Sequence, residues 1–304
     1  MKRRIIQQHK SYTLTLPIKW IEQKGLKQGD EVNIDIESGK VIIDSEAHPE
    51  LKSVEIELED NSTIRSVIGS LYRAGYNKII INLKNPMTMH EVQKAVDFFV
   101  GLEIENFDNN VITLRCITPV NAEEFDFFVK KIFLTIKLMF DEIIGFFNGN
   151  SFNFINIEDM RKNNLKSREY CMRAINVEKI GKKEKCDEYT FILNIEKISG
   201  ALWHMGQYIE NNKPEKSAKL KELLTFLKDL VDKSYHVYLR KDRKAGITVL
   251  SDRFKMRKEW YKNDKFYKLF KTKGVDPVLL ALTLKIRSYI HSAIARFLTT
   301  IVED

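Results

Sequence analysis

Three cysteines, six prolines and thirteen glycines are few for 304 residues, and each shortage removes a class of protein. Cys116, Cys171 and Cys186 stand far apart, in no CxxC or CxxH arrangement, which suggests neither a disulfide framework nor a zinc site; they read as reduced structural thiols. So little proline and glycine leaves no room for a long unstructured linker, and no low-complexity segment occurs. There is no GxGxxG, P-loop, GxSxG or HExxH motif, and the six histidines are scattered. No catalytic residue, no cofactor and no metal ligand set is expected, so the chain is not read as an enzyme.

Long apolar runs are missing as well. The most apolar stretches, Phe125 to Phe147 and Val278 to Val302, are broken by Lys130, Lys131 and Lys137 and by Lys285, Arg287 and Arg296, which argues against a membrane span. No apolar core of signal-peptide length follows the basic start at Met1 to Arg4, so the expected location is cytoplasmic.

What is present is a globular composition, 43% apolar and 30% charged, in a chain long enough for two or three domains. Its net charge of +8 is unevenly spread: residues 1 to 212 hold 28 Lys/Arg and 31 Asp/Glu, whereas residues 213 to 304 hold 22 and 11. The first 44 residues are sorted too. Met1 to Ile21 carries five Lys/Arg and no acid, and Glu22 to Asp44 carries three Lys against six acids.

In this N-terminal stretch Tyr12, Leu14 and Leu16 alternate with Thr13 and Thr15, the period of a half-buried strand. Leu16-Pro17 leads into a helix-like Ile18 to Lys24. Val32, Ile34 and Ile36 then alternate with Asn33, Asp35 and Glu37, and Ser38-Gly39 is a plausible turn into a strand from Val41 to Asp44. Two short hairpins and a two-turn helix bury too little surface to fold alone, so the unit should dimerise.

The run Ser11 to Pro17, Trp20, Gly25-Leu26, Gly29-Asp30-Glu31-Val32 and the Gly39 turn resemble the AbrB/SpoVT/MazE family of swapped-hairpin domains. The resemblance covers roughly residues 3 to 44, within an expected domain of residues 1–46. It implies an interlaced homodimer whose basic first hairpins face DNA. The matching exposed positions are Arg3, Arg4, His9, Lys10, Ser11, Thr13 and Lys19. Cations there would grip phosphates and a few polar side chains would lie near base edges. The same arginines and lysine could instead be solvated charges guarding an exposed strand edge; their concentration without any acid favours DNA.

After a connector at Ser45 to Lys52, residues 52–118 follow the order β-α-β-α-β-β of a small α+β domain. Strands are expected at Val54 to Leu58, Lys78 to Leu83, Leu102 to Phe107 and Ile112 to Ile117, with helices at Thr63 to Arg73, capped by Asn61 or Ser62, and at His90 to Val100, capped by Thr88. Arg65 and Arg73 read as surface residues, and His90, Glu91 and Asp97 as helix-start charges on a solvated face.

Residues 123–304 carry six helical patterns, near 123 to 148, 155 to 180, 186 to 212, 216 to 243, 246 to 271 and 276 to 302, with a break at Lys213-Pro214. Ile192, Ile195, Ile198, Leu202, Met205 and Ile209 line one stripe; Leu279, Leu282, Ile286, Tyr289, Ala293 and Phe297 line another. Two sets of three, residues 123–212 and 216–304, suggest a duplicated three-helix bundle. His204 reads as a packing residue beside Trp203. From Val237 to Lys273 there are 13 Lys/Arg against four acids among interleaved aromatics, either a cationic binding face or the solvated side of two helices whose aromatics are core.

The six-helix layout, with Ile195-Glu196-Lys197-Ile198 in its third helix, resembles the PhoU family of phosphate-uptake regulators, and an AbrB-like domain ahead of PhoU-like helices is an arrangement associated with archaeal proteins. Relatives of that kind often hold clustered metals on acids along this helix. Gly200 stands where a second acid would follow Glu196, and Thr283 to Ser288 in the second half has no acid, so Glu196 is expected to be an exposed residue rather than a ligand.

The expected architecture is therefore multidomain: a swapped-hairpin β domain, an α+β unit and an all-α PhoU-like double three-helix bundle. The expected function is DNA-binding transcriptional regulation linked to phosphate uptake, with DNA and a second copy as partners and a protein partner for the helices. The alternative is an adaptor that binds a transporter or signalling protein and uses the N-terminal domain only to dimerise. An antitoxin role in the manner of MazE is weaker, because some 260 further residues are folded.

Overall fold

The structure is a computed structural model, and the residues it describes are 3–37, 40–44, 52–108, 110–177, 185–261, 270–299 and 301. The chain divides into two compact units, Met1–Leu51 and Lys52–Asp304.

In the first unit, β1 (Ile5–Gln8) pairs antiparallel with β2 (Ser11–Leu14), α1 spans Ile18–Gln23, and β3 (Asn33–Glu37) pairs antiparallel with β4 (Lys40–Asp44). Helix α1 starts at Pro17, whose φ of −65° suits a helix entrance. Its end is a Schellman turn: Leu26 N–H donates to Ile21 O at 3.1 Å, Gly25 N–H to Glu22 O at 3.1 Å, and Gly25 has φ +63°. The chain then turns through Lys27 to Asp30, with Gly29 at φ +98° and the Asp30 carboxylate accepting Lys27 N–H at 2.7 Å. The turn expected at Ser38-Gly39 lies outside the described residues. None of the described side chains of this unit is buried. Ile5, Tyr12, Ile34, Ile36 and Val41 are each more than half exposed.

The second unit opens with a four-stranded sheet of β5 (Ser53–Leu58), β6 (Lys78–Leu83), β7 (Leu102–Asp108) and β8 (Val111–Cys116), in the order β5-β6-β8-β7. β5 and β6 are parallel and the other pairs antiparallel. The near-continuous apolar run of β6 is explained by its inner position: Ile79, Ile81 and Leu83 are buried while Ile80 on the other face is half-buried. Helices α2 (Ile64–Arg73) and α3 (Met89–Val96) complete this core with Ile68, Tyr72, Val92 and Val96.

Two expected details change. The cap before α2 is Asp60, whose carboxylate accepts Ser62 N–H at 2.9 Å and starts a 3-10 turn; Asn61 instead donates its amide to Asn85 O at 3.1 Å. Helix α3 ends at Val96 rather than Val100, because the chain must reverse through Gly101, at φ +68°, before β7 begins.

Among the described residues six long helices follow: α4 (Ala122–Asn148), α5 (Phe154–Val177), α6 (Lys185–Asn212), α7 (Ala218–Arg240), α8 (Arg243–Tyr261) and α9 (Pro277–Phe297). Both expected stripes face the interior, with Tyr289 only partly buried. α4 packs on α5, α6 and α7, while α9 packs on α6, α7 and α8, so one core runs through both sets of three. Phe191 of α6 lies 4.6 Å from Phe297 of α9 and 5.4 Å from Tyr238 of α7, centroid to centroid. Helix α9 is long and apolar enough to cross a membrane by length and composition alone; here Leu279, Ile286 and Ile290 are buried among its neighbours.

The sheet and the helices, expected as separate domains, form one unit with two cores. Buried Arg173 of α5 ties them, donating to Tyr72 O at 2.7 Å and Tyr76 O at 2.9 Å with its guanidinium 4.9 Å over the Tyr72 ring. Tyr72 O also accepts Gly75 N–H at 3.0 Å, so Arg173 adds a second donor there and supplies one to Tyr76 O just past the end of α2.

Candidate nucleic-acid interface

The first hairpin is built by strict pairing: Ile5 opposite Leu14, Ile6 opposite Thr13, Gln7 opposite Tyr12 and Gln8 opposite Ser11. Residues directly opposite share a face, so Ile6, Gln8, Ser11 and Thr13 form one side and Ile5, Gln7, Tyr12 and Leu14 the other. One side is mainly polar; the other is mainly apolar. Of the seven residues expected to meet DNA, Arg3 and Arg4 lead into β1, His9 and Lys10 form the turn, Ser11 and Thr13 lie on β2 and Lys19 lies on α1. All seven are exposed. None of the four cations pairs with a described carboxylate.

The turn is tight. His9 has φ +53°, a left-handed conformation that a non-glycine residue adopts at a cost of about 1 kcal/mol. Gln7 helps hold it by donating its amide to His9 O at 3.4 Å. The Ser11 hydroxyl donates to Gln8 O at 3.0 Å and the Thr13 hydroxyl to Ile6 O at 3.3 Å. Both hydroxyl protons therefore brace the ribbon, and what remains for a ligand is their acceptor lone pairs. Gln8, on the same polar face, was missed by sequence reasoning because only the pairing register places it opposite Ser11.

These features define a two-hairpin module with no buried residue among its described side chains, whose first ribbon is cationic and free of acids. Residues 5–50 match the family described as antidote-toxin recognition MazE, bacterial antitoxin. The first unit is thus a MazE/AbrB-like domain. The match covers none of the long helices, and no curated protein and no solved structure matches the chain.

Elsewhere the structure corrects the reading of Glu196. It is not exposed: 1% of its side chain reaches solvent, and it is held by Arg161 and by Arg168, the latter at 3.0 Å, with Ser199 Oγ at 3.2 Å. A Cβ at Gly200 would lie 3.3 Å from Arg161 Nη2, so the glycine leaves room for the guanidinium. A cation thus occupies the space beside Glu196 where a metal would need further oxygens. Among the described residues no cluster of three or more His, Cys, Asp or Glu could hold a metal ion.

His204 is exposed and packs edge-on to Trp203 at 4.9 Å, and its pKa is lowered by partial burial of the ring and by the charges of Lys285 and Arg161. Arg73 is not a free surface residue either, since it pairs with buried Glu169 at 2.6 Å. In the basic stretch Tyr238 is buried and Phe270 exposed; Phe254, Trp260, Tyr261, Phe266 and Tyr267 lie outside the described side chains.

Proposed function

We propose that the protein is a DNA-binding transcriptional regulator that acts as a homodimer through its first unit. The observation that carries this reading is the acid-free cationic hairpin, exposed on both faces, within a MazE/AbrB-like domain. The polar face of Gln8, Ser11 and Thr13 meets base edges, and Arg3, Arg4, Lys10 and Lys19 meet phosphates. A two-stranded ribbon fits the major groove. The apolar face of Ile5, Tyr12 and Leu14, together with Ile34 and Ile36, is covered by the second copy. The phosphate-supply link and a protein partner for the helices rest on the PhoU resemblance alone, and the ion-paired state of Glu196 gives that link no support.

A gel-shift titration of the full chain over a salt series tests the assignment. Affinity should fall steeply as salt rises. An Arg3→Ala, Arg4→Ala, Lys10→Ala variant removes six cations from a dimer and should flatten the log–log salt slope by about five. Unchanged binding by the variant would overturn the residue assignment. Absence of any DNA binding by the intact chain would leave the first unit as a dimerisation device in an adaptor.

A further inference from the structure

The second unit gathers cations with too few carboxylates to balance them. A cleft of about 270 Å³ lies between α2 and α5, beside Phe98 and Phe99. On α2, Arg65, Gly69 and Arg73 are spaced four residues apart, so the glycine forms a bare floor between two arginines. A Cβ there would meet Arg73 Nη1 at 3.0 Å and the Phe99 ring at 3.3 Å. From α5 come Arg168 and Glu169. The Glu169 carboxylate is taken by Arg73 and Arg168, and that of Glu196 by Arg168 and Arg161.

Arg65, Arg73 and Arg168 thus line the cleft with one carboxylate, Glu169, while Arg161 and Glu196, which do not line it, pair with each other. Arg65 pairs with no described carboxylate; its guanidinium stands 4.5 Å over the Phe98 ring. The surplus is felt at Arg161, whose pKa is pushed down to about 10 by burial and by the charges of Arg168 and Arg65. Ser66 and Ser70 edge the same cleft. The Ser70 hydroxyl donates to Ser66 O at 3.0 Å, and no described residue hydrogen-bonds the Ser66 hydroxyl.

We propose that this cleft binds a phosphoryl group, as inorganic phosphate or as the monoester of a small metabolite. Two uncompensated cations match a dianion, whereas a monocarboxylate would leave one cation unbalanced. Guanidinium forks supply paired donors for phosphate oxygens, and Ser66 supplies a neutral one. The volume is slightly below that of most small-molecule sites, which suits a phosphoryl group with at most a small attached body. The bound group would bridge α2 to α5, the junction that Arg173 already ties. This assignment is independent of the DNA-binding reading, since it uses no residue of the first unit.

Isothermal titration of the full chain with inorganic phosphate, and separately with adenosine monophosphate, at fixed ionic strength tests it. The expected result is saturable one-to-one binding of at least one of them. If phosphate binds and the ester does not, the free ion is the ligand; tighter binding of the ester assigns the esterified form. Arg65→Ala should weaken binding at least about tenfold with an unchanged unfolding midpoint, because Arg65 makes no ion pair among the described residues. Lys130→Ala, an exposed cation on α4, should leave binding intact. No saturable binding of either probe at millimolar concentration would overturn the proposal. So would full affinity in Arg65→Ala, or equal losses in both variants.

Discussion

Glu196 is one of two buried acids in an ion-pair chain that runs from Arg161 through Glu196, Arg168 and Glu169 to Arg73. Removing its carboxylate leaves two cations facing one another in a site where the acid itself is 1% exposed. Breaking such a pair from one side costs about 3 kcal/mol or more, most of it the penalty of an uncompensated buried charge. Glu196→Ala should therefore lower the urea unfolding midpoint strongly, and Glu196→Gln, which keeps the shape and some hydrogen bonds, less so. Equal stability of all three proteins would show that the arginines find solvent. Cysteine chemistry is graded by the same burial: Cys171 is fully buried with its thiol pKa raised by that burial, Cys116 is half-buried and also raised, and Cys186 is exposed.

Element ends obey local chemistry, and α3 shows it most fully. The Thr88 hydroxyl accepts Glu91 N–H at 3.3 Å while the Glu91 carboxylate accepts Thr88 N–H at 2.8 Å, a complete capping box. Those bonds from Thr88 hold the Glu91 pKa below the usual carboxylate value. Because the folded value is the lower one, the bonds stabilise fully above the unfolded pKa and are lost as pH falls through the folded one. A Glu91→Gln variant should thus show a shallower loss of stability between neutral pH and acid than the parent, measured as denaturation midpoint against pH. Thr88→Ala should cost about 1 kcal/mol at neutral pH; parallel pH curves for parent and Glu91→Gln would refute the linkage. Gly101 marks the other kind of boundary, since a Cβ there would stand 2.0 Å from Thr118 Oγ1.

At the scale of the whole molecule the two units pose different problems. The second has two cores and its own internal ties. The first has exposed apolar residues on both hairpins and no buried one among the described side chains, which fits the proposed dimer, in which a second copy supplies the cover. Light scattering of the purified chain should give twice the 35.7 kDa chain mass. Ile34→Asp with Ile36→Asp should shift it towards the single mass while the helical content persists. A monomeric parent would remove the dimeric DNA-binding reading.

Much of this was legible in order along the chain. Alternation in β5, the near-continuous apolar run of β6, the three- and four-residue spacing of Ile192 to Ile209 and the cap at Thr88 are local properties, set by side-chain period and backbone sterics. The sorting of charge in the first 44 residues is likewise a fact of sequence. Whether Glu196 is exposed or buried, and whether Arg73 is solvated or paired, is decided by which helix faces come together; Arg73 and Glu169 are 96 positions apart and have no local signature. Gln8 beside Ser11 depends on register, and a one-residue slip would have put it on the opposite face. The sequence by itself determined the order of the elements, the Thr88 cap and the cationic ribbon. Only the tertiary structure decided which charges neutralise one another, because a side chain's electrostatic partners are fixed by packing across the chain and not by its neighbours along it.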